Sequence, residues 1–166
     1  MMTAHGIETL VELANGDHQE AARLLKKALD DPATTAEAAL AAEEKLAEYA
    51  QDAVEWFYPT GFRILVYIAY LPLKMEGGIL MTEESRAAYQ SASIYGRVLA
   101  VGPLAYLDPV RFPKGAWCHV GDVVMFRAYA GTRFERIGFP FTYTLINDDS
   151  VEGVIADGVK VERPRQ

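Results

Sequence analysis

Residues 56–61, WFYPTG, divide the chain into two kinds of sequence. Before them the residues are rich in Ala, Glu and Leu, which form helices readily; after them Val, Ile, Tyr, Phe and Gly dominate, as in strands and tight turns. Pro59 lacks an amide hydrogen and blocks any helix from running through the junction. A helical part is therefore followed by a strand-rich part. The boundaries that follow are an α-helical extension over residues 1–57, a β domain over 58–157 and a polar C-terminal tail over 158–166.

Within the first part, Asp17 with Glu20 three residues later has the form of a capping box. Ala21, Leu24, Leu25, Ala28 and Leu29 then recur at helical spacing, and the helix is expected to end near Asp30-Asp31-Pro32. Thr34 with Glu37 predicts the start of a longer helix whose inner face carries Leu40, Leu46, Ala47, Ala50 and Val54. A short helix over residues 7–13 is expected to stop at Asn15-Gly16.

After Pro59 the apolar runs are short and separated by turn residues: FRILVYIAYL, YGRVLAVG, DVVMFRAY, FTYTLIND and VEGVIAD. Such spacing, without helical periods between the runs, predicts an all-β barrel or sandwich. Strict alternation in YGRVLAVG would put Val98 and Ala100 on one face and Leu99 and Val101 on the other. Residues 102–117, GPLAYLDPVRFPKGAW, are a long irregular excursion between two strands.

Several function classes are disfavoured. With 16 basic against 23 acidic residues and a formal charge of -7, the chain is poorly suited to grip phosphate backbones, so nucleic acid is not expected as a partner. The single Cys118 rules out an internal disulfide and suits a reducing compartment. No apolar run approaches the roughly 20 residues that span a bilayer, and the N-terminus has no basic stretch ahead of an apolar one; a cytoplasmic protein without membrane association is expected. His5, His18 and His119 are scattered, and Cys118 beside His119 is a poor spacing for one metal. Phosphate-loop, zinc-protease and nucleophile-elbow motifs are absent. Asp148 and Asp149 fit a turn after a strand better than an acid–base pair. Neither an enzyme, a cofactor nor a metal is expected.

One stretch does not fit the pattern of core strands. In residues 73–90, LKMEGGILMTEESRAAYQ, the apolar triplet Ile79, Leu80 and Met81 follows a double glycine and precedes a run of charge. The order of features around it resembles the GroES-type co-chaperonin, or chaperonin-10, family. PTGFRILVYI is similar to the family's first strand, EGGILMTEES to its mobile loop, YGRVLAVGP to its Gly-x-Val-x-Ala-Val-Gly strand and VGDVVMF to its Val-Gly-Asp strand. YAGT and NDDSVEGVIAD complete the series in order.

The resemblance implies a mainly β fold, a GroES-like irregular Greek-key β-barrel, here carrying an α-helical N-terminal extension. It implies a homo-oligomeric ring that caps an ATP-driven, GroEL-type chaperonin to assist protein folding. Ile79, Leu80 and Met81 would bind the chaperonin, with Gly77 and Gly78 as the hinge of the loop. The scaffold glycines, among them Gly121 and Gly131, would serve turns.

Two regions depart from the family pattern. The extension over residues 1–57 has no counterpart in ordinary members. The excursion, in the place of the family's roof hairpin, carries Tyr106, Arg111, Phe112 and Trp117, residue types that anchor interfaces and equally build a self-contained small core. The wording of this segment is most similar to co-chaperonin-like proteins of tailed phages. That similarity raises an alternative: a virion structural protein, in a capsid decoration or head-tail component, with the barrel as scaffold, virion proteins as partners and the virion as location.

Overall fold

A computed structural model describes residues 2–73 and 80–161. Among them are helices α1 (Ala4–Leu13), α2 (His18–Asp30), α3 (Ala36–Ala50) and α4 (Glu83–Ser91), and strands β1 (Arg63–Ile68), β2 (Tyr95–Val101), β3 (Val123–Met125), β4 (Thr132–Glu135), β5 (Thr142–Asn147) and β6 (Gly153–Ile155). Short 3-10 turns follow α3 and β5, at Gln51–Glu55 and Asp148–Ser150. Two compact units emerge. One draws its described residues from 1–51, 69–90 and 135–141, the other from 52–68, 91–134 and 142–166. No helix among the described residues is long and apolar enough to cross a membrane.

In the first unit the capping logic holds at Asp17, whose carboxylate accepts the amides of Gln19 and Glu20 at 3.0 and 3.2 Å. At the next helix it shifts by one residue. Thr35 caps α3 by accepting the Ala38 amide, while the Thr34 hydroxyl donates to the Ala28 carbonyl near the end of α2. Adjacent threonines thus satisfy one helix end each. The inner face of α3 is Ala38, Ala42, Leu46 and Ala50, buried at four-residue spacing. Leu40, expected inside, lies half a turn from that stripe and is 47% exposed. Ala47 and Val54 are half-buried, as is Leu24 on α2. Three of the four stripe residues are alanines, whose small side chains permit close helix approach.

The second unit is a six-stranded sheet in the order β4-β5-β1-β2-β3-β6, open in its hydrogen-bonded sequence. β1 pairs antiparallel with β2 on one side and β5 on the other, β2 with β3, and β3 with β6. Flanked on both edges and covered on both faces, β1 has Ile64 through Ile68 buried without a break. Ile64, Val66 and Ile68 enter a core with Val98, Val124, Phe126, Ile146 and Val151. On the other side of the sheet, Tyr67 lies opposite Tyr143, and Trp56, Phe57 and Phe134 pack with Tyr143 as an aromatic cluster. The WFYPTG junction is therefore more than a helix stop; its first two rings cover the sheet.

β2 departs from simple alternation. Val66 pairs with Val98 and Leu65 with Ala100, leaving Leu99 as an extra residue, a β-bulge. Beyond it the faces exchange, so Val101 packs against the same core as Val98. The expected grouping of Leu99 with Val101 and of Val98 with Ala100 fails for this reason. β4 is a further element that the apolar runs did not announce, because Thr132–Glu135 offers only four residues of alternation. It follows Gly131, whose φ of 74° favours glycine and where a Cβ would run into the Leu145 carbonyl. Gly102 has a similar constraint, since a side chain there would collide with the carbonyls of Gly61 and Arg63.

Candidate functional site

The region that breaks the core-strand pattern begins where β1 ends. Tyr70 turns inward and is buried, and its hydroxyl donates to both carboxylate oxygens of Asp30, at 2.9 and 2.8 Å. The Leu73 amide donates to the same carboxylate at 3.2 Å. Burial, and next the neighbouring Asp30, push the Tyr70 phenol far above its ordinary value. It therefore remains a neutral donor through the physiological range.

The return arm is helical. Thr82 accepts the Ser85 amide at 3.2 Å, while its carbonyl accepts the Arg86 amide. Glu83 and Glu84 fill the first turn, where negative charge suits the positive helix end. The charge run in TEES is thus the opening of α4. Arg86 forms an ion pair with Glu83, lays its guanidinium 4.8 Å from the centre of the Tyr70 ring, and donates to Gln90 Oε1 at 2.9 Å. The Glu83 bond raises the Arg86 pKa further above its ordinary value. Lys26 of α2 approaches the Tyr70 ring at 5.5 Å. Gln90 is buried, and its side-chain oxygen also accepts the Leu71 amide.

These contacts form a stem. The Met81 amide donates to the Leu73 carbonyl at 2.8 Å and joins the outgoing arm to the returning one. Beyond the stem, Leu80 is 62% exposed and Met81 half-buried. Gly77, Gly78 and Ile79 lie outside the described residues. A large apolar side chain therefore stands in solvent immediately beside a well-bonded base.

The other interface candidates meet in the excursion. Tyr106, Phe112 and Trp117 pack edge to face or tilted, with ring centres 4.9 to 6.1 Å apart. Tyr106 and Phe112 are buried in the sheet core, whereas Trp117 retains 44% exposure. Tyr106 adopts a φ of 60°, uncommon for a bulky residue, and is held there at both ends. Its amide donates to Asp148 Oδ2 at 3.1 Å, and its hydroxyl donates to the Asp148 carbonyl at 2.9 Å. Arg111 reaches Asp149 at 2.6 Å and Asp148 at 3.8 Å. Cys118 lies against the Tyr106 hydroxyl, and burial raises its thiol pKa, which disfavours the reactive thiolate. Asp148 and Asp149 lie in the 3-10 turn after β5, where Asp148 Oδ1 also accepts the Asp149 amide.

The histidines remain apart: His5 lies near Glu8, His18 near Tyr49 and His119 near Asp122. Among the described residues, no group of three or more His, Cys, Asp or Glu side chains is placed to hold a metal ion. Asp30, Tyr70 and Arg86 were not legible as a group, since 40 residues separate Asp30 from Tyr70. One partial signal existed: an acidic residue at a helix C-terminus, where the macrodipole disfavours it.

Compared with known protein families, residues 57–155 match the one described as Chaperonin 10 Kd subunit. The match begins at Phe57, runs through all six strands and α4, and ends with β6; helices α1 to α3 lie outside it. No curated protein matches the chain.

Proposed function

The chain belongs to the chaperonin 10 kDa subunit family, and from that premise we propose that it is a co-chaperonin that caps an ATP-driven, GroEL-type chaperonin. In this reading the sheet unit curves as the family's irregular Greek-key barrel and assembles into a homo-oligomeric ring. Each subunit offers Ile79, Leu80 and Met81 to an apolar groove of the chaperonin. The observation that carries the reading is Leu80, 62% exposed beside a stem whose polar groups are bonded. Burying a leucine contributes on the order of 1.5–3 kcal/mol, enough for one side chain to dominate a small contact. Repetition around a ring turns weak contacts into a tight and reversible cap, because each later contact forms at high effective concentration. Hydrolysis belongs to the chaperonin, and the cap contributes no chemistry.

The test is Leu80→Asp in the full chain. It is expected to abolish capture by a GroEL-type chaperonin in ATP and to end assistance in a refolding assay, with the circular dichroism of the free protein unchanged. Undiminished capture would remove Leu80 from the mechanism. Failure of the unmodified chain to assist refolding, combined with stable incorporation into viral particles, would replace the chaperone reading with a virion structural role.

A further inference from the structure

Asp30 sits in an unfavourable place for its own helix. It is the last residue of α2 and is followed by Asp31, so two carboxylates crowd the end where the helix dipole is already negative. A local choice that conflicts with its element calls for a tertiary reason. The reason lies in the stem. The Asp30 carboxylate accepts the Tyr70 hydroxyl twice and the Leu73 amide once, while Arg86 and Lys26 bring positive charge to the Tyr70 ring.

Leu73 is also the residue whose carbonyl receives the Met81 amide. Asp30 therefore holds the peptide that closes the stem. All these residues fall in one compact unit, together with α1, α2 and α3. The helices that precede the family match supply the acceptor for a loop inside it.

Resting on the co-chaperonin reading for the identity of the partner, we propose that the N-terminal helical extension is an intramolecular brace for the partner-binding loop, with Asp30 as its positioning residue. It fixes the two ends of the tip before a partner arrives. Ordering a loop on binding subtracts from affinity, so a stem ordered in advance strengthens binding without adding a contact. The extension would then act on partner affinity without touching the partner.

Hydrogen–deuterium exchange of full-length Asp30→Ala and Tyr70→Phe tests the brace. Asp30→Ala should speed exchange at the Leu73 and Met81 amides by about tenfold or more, since it removes a charged acceptor from a partly buried site. At the same time α2 should exchange no faster, because alanine is the better helix former and the unfavourable charge is gone. Tyr70→Phe should produce a smaller rise at the same two amides. Both variants should bind a GroEL-type chaperonin in ATP more weakly, Asp30→Ala by about tenfold. Unchanged exchange at Leu73 and Met81 in both variants would overturn the proposal, as would faster exchange with undiminished chaperonin affinity. If Asp30→Ala loosens α1 to α3 as a whole, Tyr70→Phe decides: a rise confined to the stem supports the brace, and none refutes it. Failure of the unmodified chain to bind chaperonin would remove the co-chaperonin reading, and the exchange data would still decide whether Asp30 holds the stem.

Discussion

The loop that follows β1 and the excursion that follows β2 are built alike at their bases and differ in where their described apolar residues go. Each is fastened by one aspartate that gathers donors from the departing chain: Asp30 receives Tyr70 and Leu73, and Asp148 receives Tyr106. Each carries large apolar residues. In the excursion Tyr106 and Phe112 enter the sheet core, whereas Leu80 of the loop stays in solvent. Similar side chains thus serve stability in one region and are left available in the other. What separates them is whether the scaffold provides a cavity for them.

Substitutions can break that comparison. Phe112→Ala has the largest expected effect, a loss of about 3–5 kcal/mol of unfolding free energy, because it empties a packed site between Tyr106 and Trp117. Urea denaturation followed by tryptophan fluorescence measures it, and a loss under 1 kcal/mol would mean that the excursion is not core. Asp148→Ala should come next, at about 2 kcal/mol, since it strands the buried Tyr106 amide. The same denaturation series reads this loss. Smallest is Leu80→Ser, expected within about 0.5 kcal/mol of the unmodified protein because an exposed side chain has little burial to lose. A large destabilisation there would place Leu80 in a core after all and erase the contrast.

Much of the scaffold could be read in advance because it is written locally. Asp17 followed by Glu20 announced α2, and the apolar runs after Pro59 announced five of the six strands. The failures share a cause: each needed a partner distant in sequence. The bulge at Leu99 exists only against β1, and the buried face of α3, Ala38, Ala42, Leu46 and Ala50, is set by what packs against it. The expectation of no helix between the apolar runs fails at α4, whose local signature is Thr82 followed three residues later by Ser85 within a run of charge. For the candidate site, the triplet at 79–81 stands out in the sequence as an apolar run beside a double glycine, and its role is the one proposed above. The fastening of its stem was not, since no short-range pattern links an aspartate at the end of α2 to a tyrosine 40 residues later.

The bulge in β2 also bears on how such a chain tolerates change in length. Losing a residue from a regular strand slides everything beyond it by one place and turns the far half inside out. At Leu99 the arithmetic is reversed, because Val98 and Ala100 already face consecutive residues of β1. A deletion there would leave the pairings on both sides intact and sacrifice only one buried side chain. The central ladder therefore contains a single spare position, the one point in β2 where a shorter descendant could arise without rewriting its neighbours.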